Sequence, residues 1–253
     1  MAALLAVLCG GAVGFVLGLI GGGGSILATP LLLYVVGLPP HAAIGTGAVA
    51  VGVNAFANLA AHARGGQVRW GAAAIFAALG VAGAAVGSTV GKAVDGQRLL
   101  VLFAVLMVVV ALLMLRPHTK KVLAPAGRAG AARLAGAGLG VGTLAGFFGI
   151  GGGFLIVPGL VHATGMPMVA AVGSSLLAVG AFGATTAVNY ALSGLVDWPV
   201  AAEYVLGGVL GGWAGMRLCH ALAPRRAALQ RIFAGIVLIV AAYMLARSAG
   251  LSA

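Results

Sequence analysis

Apolar residues fall into ten runs along the chain, separated by short breaks rich in Gly, Pro and charge. The runs cover about 2–20, 25–37, 41–62, 70–91, 99–115, 133–148, 153–165, 169–191, 198–219 and 229–247. Ala and Leu dominate them, and the period-2 alternation of a strand is absent, so each run predicts a helix. A transmembrane barrel is excluded, since its strands alternate polar and apolar positions over about ten residues. In each half of the chain, short runs flank a glycine cluster. These runs fall below the roughly 20 residues that a helix needs to cross a bilayer.

The runs repeat. Shifting the chain by 128 residues aligns its two halves without a gap from Gly14 to Gly91, with about a third of the positions identical. Gly14, Gly18, Gly21, Gly23 and Gly24 fall on Gly142, Gly146, Gly149, Gly151 and Gly152. Pro30, Pro39 and Trp70 fall on Pro158, Pro167 and Trp198, matches that a Gly- and Ala-rich composition does not produce by itself. Gly45-Thr46 falls on Gly173-Ser174, and Gly80, Gly83 and Gly87 fall on Gly208, Gly211 and Gly215. The period is far longer than that of a solenoid repeat. It fits two duplicated membrane bundles, a plan common among secondary transporters. The expected division is an N-terminal repeat over 1–116, a cytoplasmic linker over 117–132 and a C-terminal repeat over 133–253.

Composition removes the soluble alternative. Of 253 residues, 62% are hydrophobic, 7% are charged and 44 are Gly. A soluble domain carries about 25% charged residues, so this chain has too few polar side chains to cover a globule. The expected fold is an all-α integral membrane protein of eight to ten membrane segments, with broken or re-entrant helices at the glycine clusters. The net charge of +11 does not indicate nucleic acid. The Lys and Arg residues sit almost entirely in the breaks, as orientation determinants do, and form no polar basic face. Arg64 and Arg69 lie in one break, and its counterpart carries only Asp197; Arg217, Arg225, Arg226 and Arg231 outnumber the cations of their counterpart at 92–98. With the Lys- and Arg-bearing linker in the cytoplasm, the positive excess falls inside in both halves, but on opposite loops of the repeat. That pattern predicts inverted halves, with both termini outside. The first run has no charged region before it and no small-residue cleavage pattern, so it is expected to be a retained membrane element and not a signal peptide. Cys9 and Cys219 lie in or beside apolar runs without CxxC spacing, and are expected to pack as small apolar residues.

The clusters Gly21–Ser25 and Gly149–Gly153 carry the sharpest chemistry. Each interior Gly costs a helix about 1 kcal/mol relative to Ala. Bare backbone at membrane depth is tolerated only where protein or water covers it. Each cluster is therefore expected to be a helix break facing the interior. The following helix would then aim unpaired N–H groups and its dipole into the break, making an anion site without a cationic side chain. The alternative is close helix packing, the expected role of Gly80, Gly83, Gly87 and their counterparts. No Lys-Ser or Lys-Thr follows the glycines as in a P-loop, and no strand context supports a dinucleotide fingerprint.

Uncharged polar residues inside apolar runs form a second set. Asn54, Asn58 and His62 recur every four residues and share one helix stripe; Thr185, Thr186 and Asn189 lie near the counterpart stripe. They are suited either to a partly dehydrated oxyanion or to interhelical hydrogen bonding. Glu203 is the one acid well inside a run and is read equally as interfacial and solvated; Trp70 and Trp198 are expected as interface anchors. No catalytic set and no metal-ligand spacing of His, Asp or Glu appears, which argues against an intramembrane enzyme.

The Gly21-Gly22-Gly23-Gly24-Ser25 and Gly149-Ile150-Gly151-Gly152-Gly153 runs leading to Pro30 and Pro158, the Gly45-Thr46 and Gly173-Ser174 pairs and the Gly-Xaa-Val-Xaa-Trp elements ending at Trp70 and Trp198 resemble the TauE/SafE sulfite exporter family, also called the 4-toluene sulfonate uptake permease family. The resemblance spans nearly the whole chain. It implies a multi-pass permease of the cell inner membrane for small sulfur-containing anions such as sulfite or organosulfonates. One departure is Gly153 where the first cluster has Ser25. The expected site joins Gly23, Gly24 and Ser25 to Gly151, Gly152 and Gly153, holding the anion's charge between facing helix ends. Thr46, Ser174 and Ser175 would donate hydrogen bonds, and Asn54 and Asn189 would tune selectivity. No cofactor is expected; the partners are the anion and the bilayer, without nucleic acid, and homo-oligomerisation is left open. Two competing readings are a transporter for another solute, including a metal cation, and a non-transporting membrane assembly factor.

Overall fold

The computed structural model describes residues 2–20, 22–115, 128–221 and 226–248. The arginines and lysines of the central linker between 116 and 127, Gly21 and the side chain of Cys219 lie outside the described residues. Every described element is helical, and no strand occurs among the described residues. The first half runs α1 (Ala2–Ile20), a 3₁₀ turn (Gly22–Leu27), α2 (Ala28–Leu31), a π turn (Leu32–Val36), α3 (Pro40–Arg64), α4 (Trp70–Ala93) and α5 (Gly96–Leu115). The second half runs α6 (Arg128–Phe148), α7 (Gly153–Thr164), α8 (Met168–Ala191), α9 (Trp198–Ala221) and α10 (Arg226–Ser248). These elements reproduce the ten apolar runs to within a few residues, the largest difference being α6, which begins five residues early. Five described helices are long and apolar enough to cross a membrane, and α1, α6 and the segment Gly23–Val36 are shorter apolar stretches.

The repeat is visible in the boundaries. α4 starts at Trp70 and α9 at Trp198, and α3 starts at Pro40 and α8 at Met168, each 128 residues apart. Gly37 and Gly165 end the short segments of the two halves with φ of 88° and 66°, a left-handed turn that a residue bearing Cβ adopts at a cost.

Packing interlocks the halves. α1 lies on α9 and α6 lies on α4, each joining one half to the other, while α3 crosses α8 and α5 packs on α10. The contacts are made by small residues. Gly10, Gly14 and Gly18 of α1 meet the backbone at Tyr204, Gly208 and Gly212 of α9. In the same way Gly138, Gly142 and Gly146 of α6 meet Phe76, Gly80 and Ala84 of α4. Lipid tails are as apolar as the side chains, so close backbone approach and its dispersion contacts drive association here, and Gly permits the shortest approach. Numbers rise together along both pairs, so the helices in each run in the same direction. Along α3 and α8 they run against each other: Gly45 meets Tyr190 and Leu195, Gly52 meets Gly183 and Ala184, and Phe56 meets Gly180. The matching helices α3 and α8 are therefore antiparallel.

The lipid-facing character of the periphery is plain on α5, where Val101, Leu102, Val105, Val109, Leu112 and Leu113 are exposed. Trp70 and Trp198, more than half exposed, stand at the first residues of α4 and α9, consistent with interfacial anchors.

Candidate functional site

Both glycine clusters interrupt the helical rods, and neither faces outward. Gly23, Gly24 and Ser25 are buried, as are Gly149 to Gly153. The second cluster is an open turn in which Gly149, Gly151 and Gly152 have φ of 66°, 63° and 64°. Side-chain-bearing residues rarely adopt that geometry, so three such glycines within four residues fix the break. α7 then begins at Gly153, with Gly152 as N-cap and no side-chain cap. Leu155 and Ile156 N–H donate to the Gly152 carbonyl. The first cluster differs from the sequence expectation. Its winding starts inside the cluster, at Gly22, and passes through the 3₁₀ turn into α2 without a left-handed residue among those described. Gly24 lies directly on the α1 backbone, where a Cβ would stand 2.5 Å from the Leu17 nitrogen; the tight winding and the missing side chain let the segment fold back there.

The helix that follows the second break reaches the first. α7 packs on the turn Gly22–Leu27, and both touch α8. A Cβ on Gly151 would lie 3.0 Å from Val51 of α3 and 3.0 Å from Val179 of α8, which places the second break against the crossing of these helices.

The side chains expected at the site separate into two groups. Asn54 lies one turn beyond Val51, 1% exposed, with its amide on the Gly208 backbone of α9. Its Oδ1 has no hydrogen-bond partner, while its main-chain carbonyl accepts from Asn58 Nδ2 at 2.9 Å. Ser175 is fully buried and donates back to the Val172 carbonyl at 2.8 Å. Thr46 and Ser174 do something the sequence did not suggest. Thr46 Oγ1 accepts from the Asp197 N–H and Ser174 Oγ from the Arg69 N–H, both at 2.9 Å. Asp197 and Arg69 are the N-caps of α9 and α4, the helices of the opposite half. Each hydroxyl thus anchors a helix start across the repeat, with its own proton left to donate. Asn189 lies near the far end of α8. Its Oδ1 accepts from Lys92 Nζ at 2.7 Å, and its Nδ2 donates to Ser88 Oγ at 2.6 Å and Thr89 Oγ1 at 3.0 Å. Lys92 Nζ also donates to Ser193 Oγ at 2.7 Å, so this amide belongs to a knot between α4 and α8 and not to the breaks.

Three further positions escaped the reading of the sequence. Thr29 and Tyr204 are buried with unpartnered hydroxyls, and Lys92 reaches Asn189. Thr29 and Tyr204 were legible as places where the repeat changes chemistry, since their counterparts are Val157 and Phe76. His62 Nδ1 lies 2.8 Å from Gln67 Oε1 at the end of α3. Among the described residues, no group of three His, Cys, Asp or Glu side chains could hold a metal ion.

The chain is 53% identical over 248 residues to a probable membrane transporter protein of Xylella fastidiosa (strain Temecula1), covering 94% of this chain and 93% of that one. It is 28% identical to the probable membrane transporter protein YunE of Bacillus subtilis, covering 88% and 89% of the two chains. It is 25% identical to YdhB of the same organism, another probable membrane transporter protein, covering 89% and 96%. No solved structure matches. The family model for the sulfite exporter TauE/SafE matches residues 6–244. With its broken helices, lipid-facing periphery and duplicated plan, the chain is a multi-pass membrane protein that belongs to the TauE/SafE family of membrane transporters.

Proposed function

We propose that this transporter carries a small sulfur-containing anion, such as sulfite or an organosulfonate, across the cell inner membrane by alternating access between two inverted repeats. The observation that carries the reading is the buried second glycine break at the α3–α8 crossing, whose helix α7 packs on the turn of the first break. The bare N-terminus of α7 presents N–H groups and the positive end of a helix dipole in the interior, which favours a negative charge without an opposing side-chain cation. The antiparallel run of α3 and α8 supports the inverted arrangement, and swapped pairing of α1 with α9 and α6 with α4 supports rocking of one unit against the other. A Cys-free chain reconstituted in proteoliposomes and loaded with radiolabelled sulfite or methanesulfonate tests this. Flux above protein-free vesicles is expected. Flux of another solute alone would overturn the substrate class. No flux of any small solute from a monodisperse sample would favour the assembly-factor reading.

A further inference from the structure

Two helix ends meet beside the broken segment of the first half, and the surface they form is cationic at its rim and apolar below. α5 begins at Gly96 and α10 ends at Ser248, and the two helices pack on each other. At that end, Arg247 of α10 lies over the Tyr34 ring, 5.1 Å from its centroid, and donates from Nη1 to the Tyr243 hydroxyl at 3.1 Å. Tyr34 belongs to the π turn of the broken segment, and its ring meets Tyr243 edge-on with centroids 5.3 Å apart. The two rings hold the guanidinium by a cation–π contact and a hydrogen bond. An open hollow of about 290 Å³ lies beside it, lined by Arg247, Gln97 and Ser248 and by the apolar Leu33 and Leu100. A second hollow of about 420 Å³ shares Gln97 and Ser248 with the first, and is lined further by Arg98, Val101 and Leu102.

The positive charge there is unanswered. A guanidinium carries five N–H donors, and Arg247 spends one of them on Tyr243. Neither Arg247 nor Arg98 forms an ion pair among the described residues. Asp95, the acid nearest to Arg98 in the sequence, caps α5, its Oδ1 accepting the Gln97 and Arg98 N–H groups at 3.1 and 3.2 Å. Past Arg98 the surface turns apolar. Val101, Leu102, Val105, Val109 and Leu112 follow it at helical spacing and are exposed, so they form one stripe along α5. From Arg98 to Leu112 the helix spans about 20 Å, longer than the roughly 15 Å of hydrocarbon in one leaflet. A site for negative charge thus opens onto a track that a hydrocarbon chain can follow.

We propose that these adjoining hollows hold one anionic phospholipid, its phosphodiester against Arg247, Gln97 and Ser248 and an acyl chain descending over Val101 and Leu102. The planar fork of arginine matches two phosphate oxygens, an amide and a hydroxyl add neutral donors, and tyrosines are favoured at headgroup depth. A free oxyanion answers the charge alone, whereas an anionic lipid answers the charge and covers the apolar wall. A second copy of the chain is a poor occupant, because its counter-charge would have to come from three acids, one of which already caps α5. A lipid seated here touches α5, α10 and the broken segment together, and so clamps that segment to the two helices. The assignment is independent of which solute the protein carries.

The test uses the full-length protein, delipidated in detergent and titrated with dioleoylphosphatidylglycerol or dioleoylphosphatidylcholine, with bound lipid counted by native mass spectrometry. The first phosphatidylglycerol should bind wild type about tenfold more tightly than phosphatidylcholine and should raise the thermal midpoint. Arg247→Gln should weaken that first site about tenfold and remove the thermal shift. Ser248→Asp changes an exposed residue at the helix end and puts a carboxylate in the hollow. It should have the same effect, and it decides the matter if Arg247→Gln does not fold. Arg231→Gln, an exposed change of equal charge near the opposite end of α10, should keep the wild-type affinity and shift. An unchanged preference in folded Arg247→Gln or Ser248→Asp overturns the site. Equal loss in Arg231→Gln overturns it too, since net charge is then the cause. Displacement of phosphatidylglycerol by equal concentrations of inorganic phosphate or methanesulfonate overturns the lipid as occupant and leaves a free-anion site.

Discussion

Thr46 and Ser174 show how one residue type admitted two readings. Both hydroxyls sit at matching repeat positions, which suggested ligand donors, and each accepts an N–H from the opposite half. Removing a hydroxyl that serves a helix start costs about 1 kcal/mol. Thr46→Val and Ser174→Ala should each lower stability by about that amount, and the double variant by about the sum, read as reversible denaturant midpoints in detergent. Unchanged midpoints would mean that water replaces the hydroxyls. Asn189 gives the complementary case. Its amide is fully engaged with Lys92, Ser88 and Thr89, so Asn189→Leu should lower stability while leaving the ratio of sulfite to methanesulfonate flux unchanged. A shifted ratio would return Asn189 to the substrate path. The sequence marked these residues as polar and intramembrane; it did not contain their partners, which stand about a hundred or more positions away.

Element boundaries were largely legible, because a membrane helix must be apolar for most of its length and its breaks must not be. The glycine clusters were legible as interruptions for the same reason. Their different forms were not: the first winds as a 3₁₀ turn, while the second holds three left-handed glycines, and the outcome depends on which neighbours press on the backbone. Glycine positions along the helices also divide by neighbour. Gly14 meets the Gly208 backbone of α9, whereas Gly136 and Gly140 of α6 have nothing within 4 Å of an added Cβ. Gly14→Val should abolish a monodisperse species on size exclusion. Gly136→Ala and Gly140→Ala should each be tolerated or gain up to about 1 kcal/mol in stability from helix propensity. A well-folded Gly14→Val variant would show that α1 and α9 separate without loss.

At the scale of the molecule, charge distribution and helix direction bear on the same question from independent sides. The breaks at 65–69 and 192–197 are counterparts, and the antiparallel α3 and α8 lead into them. Single cysteines at Gly66 and Gly194, in a Cys-free background, should be labelled by an impermeant maleimide from opposite faces of the membrane, Gly66 from the cytoplasm. Labelling of both from one face would overturn the inverted arrangement. The sequence by itself determined the class, the ten helical elements, the duplication and the family, since each follows from apolar length, local backbone propensity or motif spacing along one dimension. Tertiary structure alone decided which half pairs with which, which hydroxyls are consumed as helix anchors and which buried polar groups stand without partners. Those properties depend on distances between residues far apart in the chain, and hydropathy carries no information about them.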